Sequence, residues 1–288
     1  MARRYTDLGN LPTVVIFELQ VGIAKSGFPN KRITQFRSRK SITMFSRIYK
    51  YNHELNSYDL IKFIAIIAMI IDHIGFYFIV DNTEYWRGIG RLAAPLFFFI
   101  AGYISKYHIR FNILFYGLLI TLVRIDIGYP FLINILIVIA CIKWLLDRWQ
   151  PSQENTITLV IIFILLYFIT FWARDWIEYG LFGFAYAICG HLVATQRKPI
   201  ITSIFIAATL FNQFFERLLF NDNLLMVLII SSVAILLYLI MALFRYQVYT
   251  VHNPIIKNSV LIFSRYSLEI YFWHLFIFTL IFLFFFEI

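Results

Sequence analysis

Ionisable residues stand inside sequence that is otherwise apolar enough to cross a bilayer. Lys62, Asp72 and His73 lie in "KFIAIIAMIIDHIGFYF" (62–78), and Arg91 lies in "WRGIGRLAAPLFFFIAGY" (86–103). A charge at mid-membrane costs about 2.5–3.5 kcal/mol on insertion scales, so such groups mark functional positions by default. A histidine there is a base that works near neutral pH, and an arginine is a fixed cation for a carboxylate, a phosphate or a developing oxyanion. Each helical residue advances 100°, so Lys62 and His73, eleven apart, share a stripe to within about 20° and stand roughly 16 Å apart along the axis. Met69 lies between them on that stripe. Asp72 and His73 are neighbours and point about 100° apart, so each must meet a group from another helix. The span is therefore expected to wall a polar cavity.

Three further clusters bear on that cavity. Arg87 and Arg91 are i,i+4 and project from one helix face, with Gly88, Gly90, Ala93 and Ala94 permitting close helix approach and Pro95 loosening the backbone. Arg91 is expected to clamp a phosphate or carboxylate, or to neutralise Asp72. "WARDWIEYGLFG" (172–183) sets Asp175 and Glu178 three apart, where they meet if the segment is helical. "FSRYSLEIYFWHLFIF" (263–278) carries Arg265, Glu269 and His274 into the last apolar segment, with Arg265 and Glu269 spaced to neutralise each other. The plainer alternatives are a snorkelling Lys62, an interfacial Arg91 beside Trp86, a solvated Asp175–Glu178 loop and a packing role for His274. His108 and His191, near segment ends, look ordinary. HExxH, P-loop, GxSxG and Rossmann signatures are missing, Cys141 and Cys189 lack CxxC spacing, and no metal site is expected.

The elements that must position these residues are helices. The 288-residue chain is 61% hydrophobic and 14% charged, against 45–50% and about 25% for soluble domains. Spans are expected near 60–80, 91–107, 111–125, 130–147, 156–173, 179–195, 200–216, 224–245 and 258–286. Backbone polar groups must be satisfied within lipid, and the Phe/Ile/Leu runs lack the dyad alternation of a barrel. The fold class is thus all-α, a polytopic transmembrane bundle of about nine spans over 58–288. Residues 1–57 form a basic, largely flexible leader, read as neither signal peptide nor anchor, in which Met44 is an alternative start. Much of the net charge of +9 resides there, a pattern that fits an anionic leaflet rather than nucleic acid. Basic residues at the segment ends put the N-terminus in the cytosol and, with nine spans, the C-terminus outside.

"YDLIKFIAIIAMIIDHIG" with "RGIGRLAAPLFFFIAGY" resembles the TraX family of polytopic membrane proteins, linked to N-terminal acetylation of conjugative pilin. The resemblance rests on Asp72, His73 and Gly75, then Arg91, Ala94, Pro95 and Phe97, with Asp175, Tyr179 and Gly180 similar to a short acidic-Tyr-Gly element. The spacing of Lys62 and His73, and "SRYSLEIYFWH", resemble the wider acyltransferase-3-like membrane enzymes, with lysine where arginine is usual. The resemblance implies an integral membrane acetyltransferase of a bacterial inner membrane, taking acetyl-CoA from the cytosol to an amine or hydroxyl at or across the membrane. It implies His73 as base, Arg91 and Lys62 as electrostatic groups, Lys62 toward the CoA, and Asp72 as a tuning charge. Pilin terminus, glycan and lipid are all open as acceptors, and membrane lipids are partners. A proton-coupled transporter or flippase, with Asp72 and His73 relaying protons, is the alternative, and a non-catalytic assembly factor is a third.

Overall fold

The structure, a computed structural model, describes residues 54–288 apart from 80–82, 105–110, 127–132, 174, 197, 220–222 and 287–288. The basic leader up to residue 53, Met44 included, and His108 therefore lie outside the described residues. A two-residue strand, β1 (Leu55–Asn56), opens the described chain and pairs antiparallel with β2 (Val248–Tyr249). Asn56 then caps helix α1 (Ser57–Phe78). Its side chain accepts from the Tyr58 and Asp59 amides while the Asp59 carboxylate accepts the Asn56 amide, a reciprocal pair that starts the helix at a fixed residue.

Helices α2 (Thr83–Gly90) and α3 (Ala93–Tyr103) follow, separated by a turn at Arg91–Leu92. Pro95 accounts for that break: it has no amide to give the Arg91 carbonyl four residues back, and its ring crowds that carbonyl. The chain continues through α4 (Phe111–Asp126), α5 (Ile135–Arg148), α6 (Thr156–Ala173), α7 (Phe182–Thr195), α8 (Pro199–Leu219) and α9 (Leu224–Ala242). Asparagines at 134 and 223 cap α5 and α9. After β2 come α10 (Pro254–Arg265), capped by Asn253 with proline in its first turn, and α11 (Ser267–Phe286).

The result is an all-α membrane bundle. Helices α1, α6 and α9 are long and apolar enough to cross a membrane, and shorter apolar helical stretches lie in α4, α7, α8 and α11. Among the described residues, length and composition establish these three. The segment expected as one span at 258–286 is two helices, broken at Tyr266, and the span expected from 179 begins at Phe182. Large apolar side chains face outward along α6, among them Ile157, Ile164, Phe168 and Trp172, as an acyl-chain surroundings requires. Inside, α3 and α7 pack backbone on backbone: a Cβ on Gly102 would overlap the Ala187 carbonyl, and one on Gly190 the Phe99 carbonyl. Fully buried Leu96, Phe98, Phe99, Cys189 and Leu192 fill the space around this contact.

Candidate active site

Helix α1 presents Asp72 and His73 toward two different helices. A Cβ on Gly75 would lie 2.5 Å from Trp86 Cβ, and one on Gly90 would overlap the Asp72 side chain, so α2 runs hard against this end of α1. That approach sets Arg87 beside Asp72, with Nε 3.9 Å from Oδ1, and lays its guanidinium over the Phe76 ring at 5.2 Å. On the opposite side, α11 brings His274 to His73, 201 residues away in sequence, with Nδ1 and Nε2 2.8 Å apart.

The histidine pair has a defined proton arrangement. His274 Nδ1 lies 2.7 Å from the Ile270 carbonyl, which only accepts, so His274 carries its proton on Nδ1. Its Nε2 is then the acceptor, and His73 donates from Nδ1. In the neutral form of His73 that leaves the basic lone pair on Nε2. One α11 turn earlier, Tyr271 accepts from Asn134 Nδ2 at 3.1 Å, and Tyr77 and Thr279 hydroxyls meet at 3.2 Å, so hydrogen bonds fix both flanks of the pair.

The fourth wall is the connection between α6 and α7. It is held by Ile133 and Glu178, whose amides donate to the Trp176 and Ile133 carbonyls, and by Thr170 Oγ1, which accepts the Leu181 amide. Tyr179 and Gly180 both have left-handed backbone, φ 65° and 56°, which is strained for a tyrosine and turns the chain sharply inward. Glu178 Oε2 accepts the first amide of α5 at 3.0 Å, where the helix dipole favours a carboxylate. Burial pushes the phenol of Tyr179, outside the helices, up to about 12, so it stays a hydrogen-bond donor at neutral pH.

These groups enclose a cavity of about 260 Å³. Asp72, His73, Arg87, Arg91, Glu178 and Tyr179 form its polar side, and Phe76, Phe272, Leu275 and Phe276 its apolar side. His274 stands behind His73. Of the residues singled out from sequence, Asp72, His73, Arg91, Glu178 and His274 are thus brought together. Lys62 is not: it is half-buried three turns down α1, outside the lining, with buried Met69 between. Asp175 is exposed, and it does not pair with Glu178 because the segment turns rather than coils as a helix. Arg265 ends α10 while Glu269 opens α11, and the break between them removes the i,i+4 relation, so they make no ion pair among the described residues. The ion pair that Asp72 makes among the described residues is with Arg87 and not with Arg91, where Gly90 lets α2 close on α1. His191 is buried against Ser152 at 3.3 Å. Arg87, Tyr179, Tyr271 and Asn134 are the site members that sequence reasoning left without a role. Arg87, i−4 from Arg91, carried the signal for its own inclusion.

The TraX family profile, described as "TraX protein", matches residues 57–282, which includes every member of this cavity. A relative, "Uncharacterized protein RP591" of Rickettsia prowazekii (strain Madrid E), is 32% identical over 160 residues, 54% of this chain and 63% of the relative. The chain thus spans somewhat less than two thirds of that relative's length. No solved structure matches.

Proposed function

The chain belongs to the TraX family, and from that premise we propose that it is a membrane acyltransferase moving an acetyl group from acetyl-CoA to an amine or hydroxyl. The observation that carries this reading is the His73–His274 pair: a hydrogen bond fixes the tautomer so that the basic lone pair of neutral His73 is on Nε2, in a residue that lines a cavity with two arginines. A base held in one tautomer by a second group is the arrangement that nucleophile activation needs.

In this reading His73 Nε2 takes the proton of the acceptor N–H or O–H as the acceptor attacks the thioester carbonyl. A carbon–nitrogen or carbon–oxygen bond forms, negative charge gathers on the carbonyl oxygen, and Arg91 stabilises it. Collapse breaks the carbon–sulfur bond, and the thiolate leaves with the proton that His73 holds. Asp72 keeps Arg87 in place and tunes the local charge. Lys62, outside the cavity, meets the CoA phosphates at the cytosolic mouth, and the N-terminus is cytosolic in a bacterial inner membrane. The acceptor is a pilin terminus, a glycan or a lipid.

Release of thiol from acetyl-CoA by purified protein in membrane vesicles tests the proposal. A base near its working pH contributes about 10²–10⁴-fold, so His73→Ala should lose that much while still inserting and running as a single species in detergent. Undiminished thiol release by His73→Ala would place the base elsewhere. Substrate flux driven by a pH gradient, with no thiol release, would favour proton-coupled transport instead.

A further inference from the structure

Among the described residues the cavity holds two arginines and two carboxylates, and their pairing is unequal. Asp72 stands beside Arg87. Glu178 has an oxygen on the first amide of α5, so the positive end of that helix balances it. Arg91 has no ion pair among the described residues, and its buried Nε, like that of Arg87, donates no hydrogen bond there. Two guanidinium N–H groups thus lack an acceptor among the described residues, which favours an anion over an ammonium group as the cavity's occupant.

The opposite wall has a different character. Phe76 and Phe276 line the cavity and are 39% and 36% exposed. Trp273, Ile277 and Leu280, neighbours of Phe276 on α11 that lie outside the lining, are exposed too, so the cavity's apolar side adjoins an apolar outer face of α11. Exposed Trp86, packed on Gly75 of the same α1 turn, belongs at the membrane–water boundary where indoles gather. A polar end inside at the arginine and a greasy exit between two phenylalanines at headgroup depth describe the two ends of a lipid.

We propose that this cavity binds an anionic amphiphile from the surrounding bilayer, its phosphate or carboxylate on Arg91 and its chains leaving between Phe76 and Phe276. The amphiphile is the acceptor, a role that rests on the acyl-transfer reading and in which different N–H groups of the Arg91 guanidinium meet the headgroup anion and the thioester oxygen; its binding is measured without turnover and stands or falls separately.

The test is calorimetric titration of the purified full chain in dodecyl maltoside with three probes: dihexanoylphosphatidic acid, dihexanoylglycerol and inorganic phosphate. Phosphatidic acid should bind saturably and more tightly than either of the others, and less tightly as ionic strength rises. Arg91→Gln should weaken it about ten- to hundredfold, the value of a hydrogen bond to a charged group. Cys141→Ser, exposed on α5 and outside the cavity lining, should bind it as the wild type does. Dihexanoylglycerol binding as tightly as phosphatidic acid would overturn the anion site, and inorganic phosphate doing so would overturn the lipid. Should Arg91→Gln fail to fold, a wild-type affinity independent of ionic strength would still refute the proposal.

Discussion

In the proposed acyl transfer, replacing His274 separates a positioning residue from the base. Its Nε2 accepts the Nδ1 proton of His73 at 2.8 Å and its own Nδ1 is spent on the Ile270 carbonyl at 2.7 Å. His274→Leu removes the acceptor of the Nδ1 proton, so that this hydrogen bond no longer sets the His73 tautomer. A hydrogen bond of a half-buried group is worth about 0.5–1.5 kcal/mol, and since 1.36 kcal/mol is tenfold, transfer should fall by about 2- to 13-fold. His73→Ala should fall further, by the full contribution of the base. His274→Gln, whose amide oxygen can accept the same proton, should recover part of the loss. The informative variant is the double: if His274 acts through His73, adding His274→Leu to His73→Ala should cost little more, because the pair works as a unit. The assay is initial-rate thiol release from acetyl-CoA in vesicles, with KM for the thioester followed alongside and expected to stay constant. Multiplying losses in the double variant, or a His274→Leu effect confined to KM, would refute the argument.

Three other outcomes follow from the packing and the charges. Gly90→Val should overpack the α1–α2 contact, where a Cβ already overlaps Asp72, and lower the unfolding temperature in detergent by an amount equivalent to about 1–3 kcal/mol; an unchanged transition would mean the helices separate freely. Lys62→Met should raise the apparent KM for the acyl donor while Lys62→Arg keeps most activity, and an unchanged KM would leave Lys62 a snorkelling residue. Reporter fusions at Met44 and Arg197 should read cytosol and those at Asp222 and Ile288 the outside; a cytosolic C-terminus would put the nine-span topology off by one.

The local sequence determined what each segment is. Apolar runs too long and too unalternating for strands required helices, and Asn56, Asn134, Asn223 and Asn253 stand where α1, α5, α9 and α10 begin, because a side-chain acceptor there satisfies amides the helix cannot. The adjacency of Asp72 and His73 also determined, by helical geometry alone, that they would seek separate partners. Which partners they found was decided by tertiary structure. Arg87 reaches Asp72 because Gly90 lets α2 close onto α1, and His274 reaches His73 because α11 starts afresh after the break at Tyr266, with a rotation and height that no periodicity in 258–286 prescribes. Glu178 entered the cavity rather than pairing with Asp175 because Tyr179 and Gly180 turn left-handed against α5. Hydrophobic period records which face of a helix avoids polar surroundings. The pairing of buried polar groups depends on the relative rotation and axial offset of helices far apart in the chain, and those are set by close packing between them.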